Sequence, residues 1–368
     1  MFRRERMPVV ERVSVVKRMA GAGRMPRGEP TRRGASRSGG AFSSPAQRRR
    51  YVIVLTVLIL LSVSFGVGLL AWGNPMPFGT DGFWRIAELR FTNVTVMLIV
   101  ALCQAVATVS FQTVTTNRII TPSIMGFESL YRAVQTSSVY LFGIAGLVAF
   151  QGLWQFGLQI AIMVALAMLL YGWLLTGRYA NLQVMLLIGI IIGGGLGAIA
   201  TFMQRLLTPS EFDVLAARLF GNISNADAQY LPLAIPLCLV ASALLWMRAR
   251  RLNVMAFGAD TANSLGVNHR RELMIVLFLV AVLMATSTAL VGPMTFLGFL
   301  VATLAYQFAD SHDHRLVLPV AVLTAFTIIA GAYFVMRNFF YAEGVVSIII
   351  ELVGGVVFLF VILRKGRL

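Results

Sequence analysis

Ten long apolar runs, separated by short polar segments, fill the chain from residue 51 onward. A helix needs about 20 such residues to cross the hydrocarbon core of a bilayer. The third run carries Glu128 and Arg132, and the short eighth run follows Gly292-Pro293 so closely that it pairs tightly with the seventh. The pattern predicts an all-α polytopic membrane protein with about ten transmembrane helices. The runs lie at 51–72, 92–113, 122–147, 153–175, 183–206, 231–248, 273–292, 294–309, 316–336 and 344–363.

The composition agrees with a membrane protein. Of the 368 residues, 58% are hydrophobic and only 12% are charged. Soluble globular proteins have roughly 45–50% apolar and about 25% charged residues. This composition argues against a soluble enzyme built on a single core.

The net charge of +16 is concentrated at the start of the chain. Residues 1–50 hold 14 basic and three acidic side chains, a net charge of +11, and have no long apolar run. Such a segment cannot bury enough surface to fold, so we predict a basic disordered tail at 1–50 and a transmembrane domain at 51–368. With only two aromatic residues, the tail does not indicate binding to nucleic acid. The sequence leaves open whether translation starts at an internal methionine.

The basic residues also predict an orientation. With the N-terminus in the cytoplasm, 25 Lys and Arg fall in inside segments and five fall outside. Cytoplasmic loops of membrane proteins carry the excess of basic residues. An even number of spans returns the C-terminus to the same side, so we expect both termini in the cytoplasm.

The chain lacks the motifs of a membrane-embedded enzyme. It has only two lysines, and neither lies in the Gly-rich motif of a phosphate-binding loop, so we expect no ATPase site of its own. His312-Asp313-His314 has the composition of a weak metal site, but a solvated loop is the favoured interpretation. Cys103 and Cys238 lie in apolar runs and are interpreted as packing residues. We therefore predict no catalytic residues, no metal site and no cofactor.

Few ionisable residues lie inside the apolar runs. Glu128 and Arg132 are four residues apart, so an ion pair on one helix face is the favoured interpretation, with a role in lining a path as the alternative. Glu351 in the tenth run leaves the same choice open. Three charges are too few to favour a proton relay. In the fifth run, Gly193 and Gly197 belong to a series of small residues spaced by four, for which helix packing is favoured over a path.

The loop at 249–272 is the longest cytoplasmic connection and indicates a protein partner. Asp260 is a suitable N-cap for a short helix at 261–265, and Gly266 suits its C-terminal end. Apolar residues, including Leu265, lie between two basic clusters. We expect an amphipathic helix that presents a compact knob to a cytoplasmic protein.

Four segments, in order over about 85–368, together resemble the iron-chelate branch of the ABC importer permeases, the family that includes the vitamin B12 permease. The second run leads into FQTVTTNRIITPSIMGF, which is similar to a family segment with a Gln, an Asn-rich turn, a Pro and a Gly. The other three segments are GADTANSLGV at 258–267, GPMTFLGFL at 292–300 and EGVVSIIIELVGGVVF at 343–358.

The resemblance implies a ten-helix permease subunit in the bacterial inner membrane. A second permease, identical or paralogous, would share a central path, and a separate ATPase subunit would dock on the loop at 249–272. A periplasmic or lipoprotein binding protein would deliver a ferric siderophore. The resemblance does not identify which siderophore.

The resemblance also implies roles for individual residues. The residues expected to contact the ATPase are Gly258, Asp260, Ala262, Leu265, Gly266 and Val267. Those expected to border the path are Gln112, Asn117, Pro122, Gly126, Gly193, Gly197 and Glu351. Arg90 and Arg337 are the candidates for docking the binding protein.

The chain departs from the family pattern at three places, one of which is the third run, where Glu128 and Arg132 stand in place of the commoner small or polar residues. Val301-Ala302-Thr303 follows the third segment where Pro-His is common, and Ala342-Glu343-Gly344 replaces Glu-Leu-Pro. These departures suggest a sub-branch in which two different permeases pair. They leave a permease for cobalamin or haem as the first alternative and an ion-coupled secondary transporter as the second.

Overall fold

The computed structural model describes Phe42 and residues 44–149, 152–176, 182–223, 226–339 and 346–365. Ser44–Leu368 forms one compact unit. Its α-helices are α1 (Pro45–Ala71), α2 (Asp81–Val114), α3 (Glu128–Ala149), α4 (Leu153–Thr176), α5 (Leu182–Gln204), α6 (Pro209–Leu219), α7 (Leu231–Met247), α8 (Ala249–Met255), α9 (Ala259–Ser264), α10 (His269–Val291), α11 (Leu297–Ala309), α12 (His314–Phe339) and α13 (Val346–Lys365). A π-helical turn, Ser123–Phe127, precedes α3, and a 3₁₀ turn, Ala228–Tyr230, precedes α7.

The predicted all-α fold is confirmed, and each of the ten apolar runs coincides with a helix. Among the described residues, seven helices are long and apolar enough to cross a membrane by length and composition: α1, α2, α4, α5, α7, α10 and α12. Helices α11 and α13 are apolar but contribute shorter stretches. Helix α3 has 22 residues and begins at Glu128.

The first helix starts earlier than the predicted tail boundary at residue 50. Pro45 occupies the first turn of α1, and the Ser44 hydroxyl accepts a hydrogen bond from the Gln47 backbone N–H at 3.2 Å. A proline in the first turn and a serine cap are both favourable at a helix start. Apart from Phe42 and residues 44–50, the predicted disordered tail lies outside the described residues.

Helix α2 lies at the centre of the bundle, packed against α10, α12, α7 and α11. Small side chains such as Ala101 and Ala105 are fully buried there. In a membrane, small residues let helix backbones approach closely, which increases the packing contact between them. Gly298 at the start of α11 illustrates the closeness, because Thr108 on α2 leaves no room for a Cβ at that position.

Candidate functional site

The short helix predicted in the loop at 249–272 is present as α9. Gly258, with φ +92°, is its N-cap residue, whereas the predicted cap Asp260 lies in the first turn. Gly266 follows the helix with φ +80°. Positive φ favours glycine, so these two glycines fix how the chain enters and leaves α9.

Helix α9 presents one face to the bundle and another to solvent. Ala262 is fully buried, and its carbonyl accepts a hydrogen bond from the Val267 N–H at 2.9 Å. On the other side Phe257 and Leu265 are 73% and 63% exposed. Exposed large apolar side chains grouped on a polar loop mark a surface that binds another protein. An open groove of about 480 Å³ beside α9 is lined by Asn263, Gly266, Val267, Asn268, His269 and Arg270.

The preceding helix, α8, is anchored to α10 by a buried carboxylate. Arg248 Nη1 lies 2.6 Å from Glu272 Oε1, and Arg251 Nη1 lies 2.9 Å from Glu272 Oε2. The Glu272 side chain is only 4% exposed. A buried ion stays charged in a protein only when partners and hydrogen bonds compensate its desolvation. The two arginines therefore fix α8, and α9 after it, to the start of α10.

A second link from α8 passes through a buried histidine. His314 Nδ1 lies 2.5 Å from Asn253 Oδ1, and His314 Nε2 lies 2.6 Å from Thr113 Oγ1. Asn253 Nδ2 donates to Asp313 Oδ1 at 3.0 Å, so the amide oxygen faces the ring and the ring proton is assigned to Nδ1. The Thr113 hydroxyl, which is hydrogen-bonded to Nε2, also lies 2.8 Å from the Val109 carbonyl oxygen. The solvated-loop interpretation of His314 is wrong, because both ring nitrogens have partners and the residue is 3% exposed.

The hydrogen bonds of His314 join α8 to the end of α2 and to the start of α12. A further contact reaches α11. The Tyr306 hydroxyl lies 3.4 Å from Thr113 Oγ1, and the Arg118 guanidinium lies 4.6 Å from the centre of the Tyr306 ring. No sequence pattern points to this cluster, because its members come from segments far apart in the chain. The cluster links α8, the helix that precedes α9, to the connection that follows α2.

Gln112 and Asn117, two of the expected path residues, build that connection. Gln112 Nε2 donates to the Arg118 carbonyl at 2.7 Å, and the Asn117 N–H donates to the Gln112 carbonyl at 3.1 Å. Asn117 Oδ1 accepts from the Ile119 N–H at 2.9 Å. The buried Pro122 then leads into the π-helical turn. In this structure these three residues shape the backbone between α2 and α3.

Gly126 and the glycines of α5 meet at close range. Gly126 has φ +103°, and a Cβ on Gly193 would lie 2.9 Å from the Gly126 Cα. A Cβ on Gly197 would lie 3.8 Å from Ser129 Oγ, whereas Gly194 has nothing within 4 Å. The favoured packing interpretation holds at Gly193, because only glycine allows the two backbones to touch.

Two intramembrane carboxylates meet at one threonine. The Thr295 hydroxyl donates to Glu128 Oε2 at 2.6 Å and lies 3.4 Å from Glu351 Oε1. The predicted ion pair between Glu128 and Arg132 is wrong: none of the ion pairs of the described residues joins them, and Arg132 is exposed on the surface of the single chain. Ionisable groups held inside a membrane protein usually face a cavity or a subunit interface.

The structure corrects the expected exposure of Arg90. Its guanidinium is buried and donates to the carbonyls of Trp72 at 2.8 Å and Gly73 at 2.9 Å, with longer bonds to two carbonyls in the last turn of α1. Arg90 therefore caps the end of α1, where cations are favoured by the helix dipole. Arg337, half-buried in the last turn of α12, keeps its place as a docking candidate.

Comparison with known proteins identifies the family. The sequence profile of the FecCD transport family matches residues 54–364. The chain belongs to the FecCD transport family. The resemblance recognised from four motifs is thereby confirmed. As a FecCD permease it is a polytopic protein of the bacterial inner membrane and not itself an enzyme, since the ATPase of such transporters is a separate subunit.

Two relatives of this FecCD chain come from one organism. The petrobactin import system permease protein FatC of Bacillus anthracis is 49% identical over 333 residues, which cover 90% of this chain and 94% of FatC. The petrobactin import system permease protein FatD of Bacillus anthracis is 25% identical over 321 residues, and the match covers most of both chains, with 92% of FatD.

A solved structure has the same fold. It is a metal-chelate type ABC transporter in an inward-facing conformation, and it superposes with a TM-score of 0.73 at 22% identity. The match covers 85% of this chain and 99% of that chain. At this identity the likeness shows the permease architecture and nothing about the cargo.

Proposed function

We propose that this chain is a permease subunit of an importer for ferric siderophores, and that its cargo is ferric petrobactin or a closely similar chelate. The observation that supports this cargo is the 49% identity to FatC over nearly the whole of both chains. The described residues offer no group of three or more metal-ligating side chains of the His, Cys, Asp and Glu types. Iron is therefore proposed to cross within its chelate.

The exposed knob on α9 is proposed to receive the ATPase. Phe257 and Leu265 supply an apolar contact, and Gly258 and Gly266 fix the helix that carries it. Glu272 links α8 to α10 through ion pairs. A displacement of the knob would therefore be transmitted to α10. ATP binding and hydrolysis would then shift the populations of outward-open and inward-open states.

A second permease is proposed to cover Arg132. An arginine facing lipid would be costly, so an exposed arginine on a membrane helix indicates a protein neighbour or an aqueous path. The similarity to both FatC and FatD supports a paralogous partner over an identical one.

The path is proposed to pass the carboxylates of Glu128 and Glu351. Gly193 and Gly197 support the neighbouring wall by packing, and the connection from Gln112 to Gly126 closes the path toward the α9 end. At the opposite end Arg337 is proposed to meet a carboxylate of the binding protein. A rim pair of this kind guides encounter more than it adds affinity.

Both termini are proposed to lie in the cytoplasm. The excess of basic residues on the side of α8 and α9 supports this orientation, as does the need of a cytoplasmic ATPase to reach α9. A periplasmic or lipoprotein binding protein would then approach the end of the bundle that carries α6.

Uptake of labelled iron tests the cargo. A strain lacking this gene is complemented with the full chain and supplied in turn with ferric petrobactin, haem and cobalamin. Restored uptake of ferric petrobactin alone is expected. Restored uptake of haem or cobalamin instead would assign the chain to the alternative substrates. A strain that lacks the ATPase gives the background level of uptake.

A further inference from the structure

The end of the bundle opposite α9 contains a polar cavity of about 450 Å³. It lies within one chain, between α3, α4, α6, the 3₁₀ turn and the end of α10. Pockets of this size bind small molecules or parts of larger ones. Its lining includes Gln135, Gln159, Arg218, Asp227, Phe156 and Tyr230.

Backbone contacts hold the walls of the cavity in place. The Tyr131 hydroxyl donates to the Arg218 carbonyl at 3.1 Å, which joins α3 to the end of α6. The Asn222 N–H donates to the Val291 carbonyl at 2.8 Å, which joins the next segment to the end of α10. A Cβ on Gly221 would lie 2.5 Å from the Pro293 carbonyl oxygen, so the two segments touch. The cavity is therefore built before any ligand arrives.

The polar groups of the cavity are mainly hydrogen-bond donors and amides. Gln159 lines it, and its buried Nε2 makes no hydrogen bond of good geometry, although the amide interacts with the Tyr131 hydroxyl. A buried donor without an acceptor is unfavourable, and a ligand oxygen would satisfy it. Gln135, itself only 6% exposed, adds a second amide. The Arg218 guanidinium adds a cation that forms no ion pair with any carboxylate in the described part of the chain.

Two further features define what fits. Phe156 and Tyr230 stack with ring centroids 4.8 Å apart at 16°, which gives the cavity an aromatic wall. Asp227 is the one carboxylate among the lining residues, and Gln229 donates to both of its oxygens, at 3.0 and 2.7 Å. The Asp227 carboxylate is thus hydrogen-bonded within its own loop. The other polar groups of the cavity suit a ligand that is rich in hydrogen-bond acceptors.

We propose that this cavity binds an oxygen-rich anionic arm of the ferric chelate as the chelate enters the permease. The identity of the chelate rests on the proposed function, whereas the cavity's preference for anionic oxygen rests on Gln159 and Arg218. With about 450 Å³, the cavity holds one arm and leaves the iron centre outside.

Direct binding to the purified chain tests the proposal. The full chain in lipid nanodiscs, without ATPase or binding protein, is titrated with ferric petrobactin. We expect saturable binding that weakens at least tenfold in Arg218→Met and in Gln159→Leu and is partly restored in Arg218→Lys. Arg205→Met is the matched control, because Arg205 is exposed beyond α5 and does not line the cavity. Size-exclusion profiles establish that each variant is folded.

The possible results distinguish a failure of the cavity proposal from a failure of the proposed cargo. Equal Kd values in wild type, Arg218→Met and Gln159→Leu, or the absence of saturable binding, would overturn the cavity proposal. If uptake of ferric petrobactin by the complemented strain is normal at the same time, the proposed function stands. If the complemented strain takes up no ferric petrobactin, the cargo is wrong, and the proposed ligand of the cavity is wrong with it.

Discussion

Thr113 and His314 meet through a hydrogen bond of 2.6 Å between Oγ1 and Nε2, although 201 residues separate them in the sequence. The bond joins the end of α2 to the start of α12. Through Asn253 it extends to α8, which carries the knob on α9. One buried imidazole thus connects the proposed ATPase contact with two of the helices at the centre of the bundle.

Replacing Thr113 by Val is expected to uncouple transport. The substitution keeps the volume of the side chain and leaves Nε2 of His314 without a partner, which costs about 1–3 kcal/mol. Iron uptake should fall several-fold while the ATPase still co-purifies. Thr113→Ser restores the hydroxyl and should restore uptake; equal uptake by Thr113→Val and wild type would show that the bond is dispensable.

Leu265→Asp is expected to release the ATPase. Leu265 is 63% exposed, so a charge there does not disturb the interior of this chain, but it places an ionised group in the proposed contact. Pull-down of the ATPase and ATP-dependent uptake are the measurements. Leu265→Met, which keeps an apolar side chain of similar volume, serves as the control. Retention of the ATPase by Leu265→Asp would remove the knob from the docking surface.

Gly193→Ala is expected to destabilise the bundle where Gly194→Ala does not. A methyl group at Gly193 meets the backbone of Gly126, and overpacking of this kind costs about 1–3 kcal/mol. At Gly194 the methyl group enters open space in the single chain and improves helix propensity by about 1 kcal/mol. Thermal denaturation in detergent compares them. Equal midpoints would show that α5 and the π-helical turn separate easily.

Arg90→Met and Arg337→Met are expected to fail in different ways. Loss of Arg90 removes hydrogen bonds from a charged donor to the end of α1, each contributing about 1.5–3 kcal/mol, so the amount of folded protein should fall. Arg337→Met should fold normally and weaken binding-protein affinity, most clearly at low salt because salt screens exposed charges. Folded Arg90→Met with weakened docking would return Arg90 to the docking surface.

The sequence predicts the helices and the α9 knob because both depend on local patterns. An apolar run of about 20 residues predicts a membrane helix whatever its neighbours are. The knob is marked by Asp260 and Gly266 at the ends of a short amphipathic stretch, although the structure places the N-cap at Gly258. These features need no knowledge of which segments meet in space.

Local sequence patterns do not predict the polar contacts between helices. His314 in a charged loop has the sequence context of a solvated residue, and only the fold brings Asn253 and Thr113 to its ring. Glu128 has a suitable partner four residues away, yet the fold gives it Thr295 instead. Side-chain partners across helices depend on helix rotation and depth, which apolar periodicity does not define.

Helix α10 runs from one proposed binding site to the other. Glu272 near its start holds α8, and Leu290 near its end lines the polar cavity. Its 23 residues make a rod of about 34 Å, so a tilt of about 3° at one end displaces the other by roughly 2 Å. If a solute in the proposed cavity and an ATPase on α9 each prefer one tilt of this helix, each changes the affinity of the other by the same factor. Occupancy of the proposed cavity would then alter ATPase binding at α9 before any cargo has crossed.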